Sequence, residues 1–280
     1  MTEQSDRRFT ATGRLLGAAA LQRLQTAHVV IVGIGGVGSW AAEALARTGV
    51  GNLTLIDLDQ IAESNINRQV HALESTLGAA KVDVMAQRIQ QIAPLAGVRA
   101  IEAFIEPDNI EALMPRQATV VIDAIDAVAA KSALIAWCVN HELPVIACGA
   151  AGGRRDPLQL RCEDLARTRG DPLLASLRSR LRRDYGFPAA AGASGHDLAR
   201  ARKFGVPAIF SSEAATGLTP ASDADNGREG GAPLACAGYG SIVTVTASMG
   251  MAAAARAIDL ILAGEPASRD SAGLTGFSRP

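Results

Sequence analysis

The chain has 280 residues and a formal net charge of −1, and 48% of its residues are hydrophobic. That length allows one large buried core, and the near-neutral balance gives no whole-chain sign of a nucleic-acid partner. The four cysteines form no C-x-x-C pair, which argues against a zinc ribbon. The N-terminus lacks an apolar export segment, so we expect a cytoplasmic protein with reduced thiols and no transmembrane segment.

The first 150 residues alternate between short apolar runs and amphipathic stretches. The runs predict strands at 28–34, 52–57, 98–104, 119–123 and 144–148. The stretches predict helices at 14–27, 37–48, 77–92 and 131–140. This order predicts an α/β fold, a Rossmann-like and mostly parallel sheet with helices on both faces.

The pattern changes after residue 150, where we expect a C-terminal extension with extra strands and a long helix. An arginine-rich stretch at 163–184 is predicted to be helical, and residues 206–211 are predicted to form a strand. Polar, glycine-rich sequence at 216–231 is typical of an exposed loop. The apolar stretch at 239–262 is rich in alanine and glycine, which favours a buried core helix over a membrane span. Residues 265–280 are expected to be a disordered tail.

A glycine-rich turn follows the first predicted strand and opens a helix. Residues 33–38 read Gly-Ile-Gly-Gly-Val-Gly, so that Gly33, Gly35, Gly36 and Gly38 fit the G-x-G-x-x-G pattern in the context it requires. Glycines let the backbone approach phosphates, and the helix N-terminus favours negative charge. Asp57 ends the second strand, where a carboxylate can accept hydrogen bonds from ribose hydroxyls. These features predict a nucleotide site, with a nicotinamide dehydrogenase as the default interpretation.

Two basic residues after the second strand fit a dehydrogenase less well. The sequence Ser-Asn-Ile-Asn-Arg-Gln places Asn65 and Arg68 beside the predicted ribose site, and a guanidinium matches a triphosphate because it reaches two oxygens at once. Lys81 starts the next predicted helix, from which an ammonium can point at a phosphate. Lysine is scarce in this chain, since only three of its 27 basic residues are lysines. Together they indicate a site for ATP.

Two carboxylates lie at the end of the fourth predicted strand. Carboxyl ends of parallel strands line the ligand crevice, and a carboxylate there would repel a triphosphate unless a cation lay between them. We therefore expect Mg²⁺, which binds carboxylates and phosphates. Asp126 is the better candidate ligand, because Asp123 lies within the apolar run and is suited to capping or orienting the loop.

In this order, the motifs resemble those of the ubiquitin-activating-type adenylyltransferases. The residues that carry the resemblance are the glycine loop, Asp57, Asn65 with Arg68, Lys81 and Asp126, within residues 10–165. The resemblance implies an enzyme that binds ATP and Mg²⁺, joins a carboxylate to the α-phosphate and releases pyrophosphate. It implies that Asn65, Arg68 and Lys81 bind phosphates, that Asp57 holds ribose and that Asp126 holds Mg²⁺.

The resemblance also implies a homodimer, because an N-terminal arginine in this family often reaches the partner subunit's ATP site. Arg14 lies in the matching region, and Arg7 and Arg8 are nearby alternatives. On this basis we divide one domain at 1–264 into a nucleotide-binding core at 1–150 and a region for substrate and dimer contacts at 151–264.

The chain is more similar to one branch of the family, the tRNA threonylcarbamoyladenosine dehydratases. The stretches on which this similarity rests read GVGSWAAEALARTGVGNLTLIDLD, NRQVHAL, VIDAIDAV, KSALIAWC, GAAGGRRDPLQL and FSSEA. This likeness implies ATP-dependent cyclisation of threonylcarbamoyladenosine next to the tRNA anticodon. From the same likeness we predict a sulfur-transfer protein partner from a cysteine desulfurase system. A role for Cys236 or Cys148 is left open, and neither enters the expected mechanism.

Basic residues in the C-terminal region offer a surface for tRNA, with a solvated arginine-rich helix as the alternative. Aromatic residues for stacking bases are few, with Tyr185 and Phe187 as weak candidates. The patch comprises Arg167, Arg169, Arg178, Arg180, Arg182, Arg183, Arg200, Arg202 and Lys203.

Three other functions remain possible from the sequence. The first is activation of the C-terminus of a ubiquitin-like sulfur carrier, against which the missing zinc motif argues. The second is a nucleotide-dependent interaction module without turnover, and the third is the dehydrogenase. The set of Arg68, Lys81 and Asp126 is unexplained by either of the last two.

Overall fold

A seven-stranded, mostly parallel sheet organises the chain in the computed structural model, which describes residues 7–189, 201–216 and 239–263. The strand order is β3-β2-β1-β4-β5-β7-β6, and only β6 runs antiparallel to its neighbour. The strands are β1 His28–Val32, β2 Asn52–Ile56, β3 Gly97–Ile101, β4 Val120–Asp123, β5 Val145–Cys148, β6 Leu160–Asp164 and β7 Pro207–Ser211. The predicted α/β fold is confirmed.

Helices cover both faces of the sheet. One face packs against α2 (Ala18–Thr26), α3 (Gly38–Thr48), α4 (Lys81–Ile92) and α8 (Val243–Ala263). The other packs against α5 (Ile110–Leu113), α6 (Val128–Asn140) and α7 (Pro172–Tyr185). Every residue of β1 is buried, because side chains alternate between the two covered faces. This is why its sequence is a continuous apolar run.

The carboxyl ends of the parallel strands form one edge of the sheet, called here the carboxyl edge. The chain leaves β1 at Gly33, β2 at Asp57, β4 at Ala124 and β5 at Gly149 on this edge. The order of the strands reverses between β1 and β4, which is the position where open α/β sheets bind ligands.

Helix α8 is long and apolar enough to cross a membrane by length and composition. It is a core helix instead, because a stripe that includes Val245, Met249, Ala253 and Ala257 is buried in the same cluster as β1 and α3. A side chain at Gly250 would place Cβ 2.5 Å from the carbonyl oxygen of Val37 and 2.8 Å from Cβ of Trp40. The two helices therefore cross at a distance that only glycine allows.

Several predicted helices have other bounds in the structure, among them those at 131–140 and 239–262, which begin at Val128 and Val243. The predicted helix at 14–27 is two helices, α1 (Thr10–Leu16) and α2, because Gly17 adopts φ +91° between them. The predicted helix at 77–92 begins only at Lys81.

The prediction of one helix at 163–184 was wrong in its first third. Residues Leu160–Asp164 form β6 and Leu165–Arg167 a short 3-10 helix, while α7 starts at Pro172 after the N-cap Asp171. The missed strand lies at an exposed sheet edge, so its side chains lack the apolar alternation by which a strand is recognised. The tail, most of the loop predicted at 216–231 and residues 190–196 of the low-complexity stretch lie outside the described residues.

Candidate functional site

The glycine loop lies between β1 and α3 at the carboxyl edge. Gly33 adopts φ +86°, and a Cβ there would lie 2.8 Å from the carbonyl oxygen of Ala124 in the loop after β4. A Cβ at Gly38 would lie 1.8 Å from the carbonyl oxygen of Gly33. Both positions therefore need glycine, which brings the loops after β1 and β4 into contact and leaves the start of α3 open to an anion.

Arg68 packs over the glycine loop. A Cβ at Gly36 would lie 3.3 Å from Cγ of Arg68 and 3.2 Å from Cγ2 of Thr246 on α8. The Arg68 carbonyl accepts hydrogen bonds from Trp40 Nε1 at 3.0 Å and Thr246 Oγ1 at 3.5 Å. Helices α3 and α8 thus fix the backbone of Arg68, while its guanidinium Nη1 donates to the Ser64 carbonyl at 2.7 Å. Trp40 and Thr246 were not among the residues predicted from the sequence.

The amides around Arg68 serve different purposes. Asn65 is buried, and its Oδ1 accepts from the backbone amide of Ala62 at 3.1 Å, so it shapes the turn that carries Arg68. Gln69 is also buried, and its Nε2 lies 4.0 Å from the position of a Cβ on Gly35. Its Oε1 has no hydrogen-bond partner. Gln69 is thus a further polar group beside the loop that the sequence reasoning passed over.

Asp57 links the end of β2 to the glycine loop. Its Oδ2 accepts from the backbone amide of Ile34 at 2.6 Å and its Oδ1 from that of Asp59 at 2.8 Å. Burial raises the pKa of the Asp57 carboxyl, against the positive charge of Lys81 and the two amides, which lower it. Each carboxylate oxygen has a second lone pair, so the orientation fixed by these amides leaves acceptor capacity for a ligand hydroxyl.

Lys81 starts α4 as predicted and points back to the end of β2. Its ammonium lies 2.6 Å from Asp59 Oδ2, and its side chain is only 7% exposed while that of Asp59 is 56% exposed. Asp59 was missed in the sequence because one acid among several in that loop carries no distinguishing pattern. In this structure the carboxylate of Asp59 holds the ammonium of Lys81 near Asp57.

The loop after β4 is fixed from inside the protein. Lys131 on α6 is fully buried, and its ammonium lies 3.0 Å from Asp123 Oδ2. The same ammonium donates to the carbonyls of Asp123 at 3.0 Å and Ile125 at 3.1 Å. Asp123 Oδ1 also accepts from the amide of Ile125 at 3.1 Å. The expectation that Asp123 orients the loop is confirmed, and Lys131, whose rarity was the only sequence signal, is its partner.

Asp126 is exposed on that loop, two residues after the contact between Ala124 and Gly33. Within residues 7–189, 201–216 and 239–263, no group of three or more His, Cys, Asp or Glu side chains is arranged to hold a metal. Mg²⁺ does not require such a group, because it is usually bound by one or two carboxylates together with phosphates and water. Asp126, an exposed carboxylate close to the glycine loop, fits that kind of site.

Arg14 does not join the other residues within one chain. It is exposed on α1. Phe9, the residue before α1, packs on Gly49, since a Cβ at Gly49 would lie 3.1 Å from the Phe9 ring. Gly49 precedes β2, so α1 is anchored at the end of the sheet opposite the carboxyl edge.

The cysteines that the structure describes are not activated thiols. Burial raises the pKa of both Cys138 and Cys148 to about 12, so neither is a thiolate at neutral pH. Cys162 is exposed on β6, away from the glycine loop. Cys236 lies outside the described residues.

The predicted arginine patch separates into residues with internal partners and residues without them. Arg178 is buried and donates to Thr168 Oγ1. Arg180 and Arg183 both pair with Asp184, at 3.4 and 2.7 Å. Arg182 donates to the Pro188 carbonyl at 3.1 Å and lies over the ring of Phe204. These four arginines of α7 therefore have structural roles, and Arg200 lies outside the described residues.

Comparison with known proteins gives consistent matches over nearly the whole chain. The tRNA threonylcarbamoyladenosine dehydratase of Escherichia coli is 45% identical over 262 residues, which cover 91% of this chain and 94% of that protein. The crystal structure of the Escherichia coli enzyme in complex with ATP matches with a TM-score of 0.79 and 42% identity, covering 94% of this chain and 96% of that one.

The likeness to a carrier-protein activator is shorter. The molybdopterin-synthase adenylyltransferase of Escherichia coli is 35% identical over 130 residues, which cover 46% of this chain and 51% of that protein. The ThiF family, in contrast, matches residues 9–276. The chain therefore belongs to the ThiF family, in the branch that includes the tRNA threonylcarbamoyladenosine dehydratase of Escherichia coli.

Proposed function

We propose that the chain is an ATP-dependent tRNA threonylcarbamoyladenosine dehydratase, which cyclises threonylcarbamoyladenosine next to the anticodon. The likeness to the Escherichia coli enzyme runs through the nucleotide-binding core and the C-terminal region alike, and this observation carries the proposal. The likeness to the molybdopterin-synthase adenylyltransferase covers about half of each chain, so activation of a sulfur carrier is the weaker alternative.

The proposed reaction has two steps. A threonyl carboxylate oxygen of the modified nucleoside attacks the α-phosphorus of ATP, and pyrophosphate leaves. A nitrogen or oxygen of the carbamoyl group then attacks the activated carbonyl carbon, and AMP leaves with the former carboxylate oxygen. The nucleoside loses one water in total, because the attacking group also gives up its proton.

The described residues suit the first step through charge and position. The backbone amides of the glycine loop and the start of α3 would cradle phosphates, and Asp57 would accept the ribose hydroxyls. Arg68 and Lys81 would stabilise the charge that develops on the phosphates, with Asn65 holding the turn that carries Arg68. Removal of one such contact typically lowers the rate by about 10²–10³.

Asp126 is the residue that we propose to hold Mg²⁺. When bound, Mg²⁺ would neutralise phosphate charge and polarise the phosphorus–oxygen bonds. Lys131 and Asp123 position this residue by fixing the backbone between β4 and Asp126.

We further propose a cytoplasmic homodimer in which Arg14 acts in the partner's ATP site. Helix α1 is anchored at the end of the sheet opposite the carboxyl edge. This position supports a role for Arg14 in the ATP site of a partner subunit rather than in that of its own chain. A sulfur-transfer protein partner stays a prediction, because no feature of the described residues bears on it.

Nucleoside mass spectrometry tests the proposed function directly. The purified protein would be incubated with tRNA that carries threonylcarbamoyladenosine, with Mg²⁺, and with or without ATP. We expect a loss of one water from that nucleoside only when ATP is present. An unchanged nucleoside, with pyrophosphate exchange that appears on addition of a small carrier protein, would overturn the dehydratase in favour of the carrier activator.

A further inference from the structure

A cationic groove lies along the sheet edge formed by β6. Four basic side chains that line it, Arg161, Arg167, Arg169 and Lys203, define what we call the edge groove. Its cavity has a volume of about 670 Å³. Arg161 comes from β6, Arg167 and Arg169 from the segment before α7, and Lys203 from the segment before β7. The edge groove thus collects charges that are scattered in the sequence.

The positive charge of the edge groove is only partly balanced. Within the described ranges, none of its four basic side chains forms an ion pair; Arg161 and Arg167 donate only to the backbone carbonyls of Leu160 and Ala201. The carboxylates of Glu163 and Asp164 also line the cavity. One of them, Asp164, is engaged by the backbone amides of Ala166, Phe204 and Gly205.

A buried arginine lies behind the groove wall, paired with a buried carboxylate. Arg154 is 2% exposed, and its Nη2 donates at 3.2 Å to the carbonyl of Gly170, which lines the cavity. Its Nε and Nη1 have no hydrogen-bond partner, and the nearest carboxylate, that of Asp171, lies 3.9 Å from Nη2. The buried Asp171 carboxylate opposes this charge at close range, so the positive potential of the groove comes from its four lining cations.

The position of the edge groove separates it from the ATP site. It lies four strands from β1, or about 19 Å at the usual spacing of strands. A nucleotide bound at the glycine loop cannot span that distance with its own phosphates. The upper end of the groove, at Ser212, opens at the carboxyl edge, because Ser212 follows the end of β7.

We propose that the edge groove binds backbone phosphates of the tRNA whose modified nucleoside occupies the ATP site. This inference rests on the proposed function for the identity of the RNA. A polyanion with regularly spaced phosphates is the ligand that fits an open groove lined by four basic side chains that form no ion pair with the described residues. The arginines of α7 pair with Asp184 or pack internally, so we assign the phosphate contacts to the four basic residues of the edge groove.

The test is a double charge reversal, Arg169→Glu with Lys203→Glu, at two exposed side chains that form no hydrogen bond or ion pair with the other described residues. Fluorescence anisotropy would measure the Kd for tRNA bearing threonylcarbamoyladenosine over a series of salt concentrations. We expect the Kd to rise by about tenfold or more. Charge removal at both positions should lower the slope of log Kd against log salt by about 2.

A matched control reverses two exposed arginines outside the groove, Arg99→Glu on the opposite edge strand β3 with Arg116→Glu in the segment before β4. It changes the net charge equally, and we expect the Kd to rise much less. ATP affinity and turnover at saturating tRNA should be unchanged in the groove variant. An equal effect in both variants, or unchanged tRNA binding with loss of an acidic protein partner, would overturn the edge groove as a tRNA site.

The two proposals can fail separately. If the wild-type protein dehydrates the nucleoside but the groove variant binds tRNA normally, the edge groove is refuted and the dehydratase stands. If the wild-type protein binds tRNA through the groove without dehydrating it, the reaction is refuted and the RNA surface stands.

Discussion

At the residue scale, Asp126 combines exposure with a position beside the glycine loop. No hydrogen bond or ion pair involves its side chain among the residues that the structure describes, so the carboxylate contributes little to the folded state. A residue of this kind can be replaced without loss of the fold, which makes its chemical role accessible to experiment.

We predict that Asp126→Ala retains the thermal stability of the wild-type protein but loses ATP–pyrophosphate exchange by about 10²–10³ or more. Exchange would be measured with labelled pyrophosphate, threonylcarbamoyladenosine-bearing tRNA and Mg²⁺. Asp108→Ala, at another exposed acid in a loop outside the site, serves as the control and should exchange normally. Near-normal exchange in Asp126→Ala would refute its assignment to the metal.

Unlike the exposed Asp126, Lys131 is fully buried, and its charge is paired with that of Asp123. We predict that Lys131→Met lowers the free energy of unfolding by about 3–5 kcal/mol, since it leaves an unpaired buried carboxylate. Urea denaturation would measure the loss. The double variant Asp123→Leu with Lys131→Met removes both charges and should lose less; an equal or larger loss would show that packing rather than charge pairing dominates.

The stability of the Lys131→Met variant should depend on pH in a direction that the charges determine. Burial raises the pKa of Asp123, and the charge of Lys131 opposes that shift. Without Lys131 the pKa in the folded state rises further above the unfolded value near 3.9, so the folded state binds a proton more readily than the unfolded state. Stability of Lys131→Met should therefore increase, relative to the double variant, as the pH falls from neutrality toward the unfolded pKa of Asp. A flat difference between the two would contradict this.

Single residues differed in how far the sequence revealed them. The sequence placed the glycines, Asp57 and Asp126 at the carboxyl edge because each follows directly on a strand end, and it placed Lys81 at the start of a helix. Lys131 was not predictable, because its partners lie up to eight residues away across a strand–helix turn and only burial reveals the pair. Thr246, which is also buried, was missed for the same reason, since it acts through a contact distant in sequence.

At the scale of elements, the contact between α3 and α8 links the C-terminal region to the ATP site. Thr246 and Trp40, on these two helices, both donate to the carbonyl of Arg68. The close crossing at Gly250 sets the distance between the helices and thereby the position of these donors.

We predict that Gly250→Val lowers the free energy of unfolding by about 1–3 kcal/mol, because the new side chain meets the backbone of α3. Thermal and urea unfolding would measure the change. Ala255→Val, at an exposed position of the same helix, carries only the modest helix-propensity cost of a β-branched residue and should lose less. Equal losses in the two variants would show that propensity rather than the helix crossing is responsible.

The elements of the first half were predictable because buried parallel strands are continuous apolar runs. The C-terminal half was harder, since β6 is an edge strand whose residues Arg161, Cys162 and Glu163 are exposed. The break at Gly17 was also missed, because a single glycine in a helical pattern is compatible with continuation.

At the scale of the whole molecule, the strand order determines which residues can share a site. The carboxyl edge gathers the glycine loop, Asp57 and Asp126 from three adjacent strands, and the sequence predicted this gathering from β-α alternation alone. The alternation could not place Arg14, because the α1–α2 pair precedes the first strand and follows no fixed rule.

The position of α1 leads to a prediction about assembly. If Arg14 completes the ATP site of a partner subunit, a dimer of one Arg14→Ala chain and one Asp126→Ala chain contains one complete site. Each variant alone should be inactive. After equal mixing with subunit exchange, half of the dimers are hybrids, so about one quarter of the sites should recover activity.

Dehydration of the tRNA nucleoside would be followed by mass spectrometry before and after mixing. Persistent inactivity, with exchange verified by differently tagged subunits, would mean that Arg14 acts within its own chain or not at all. Recovery would instead identify the dimer as the catalytic unit, because neither chain alone holds both residues.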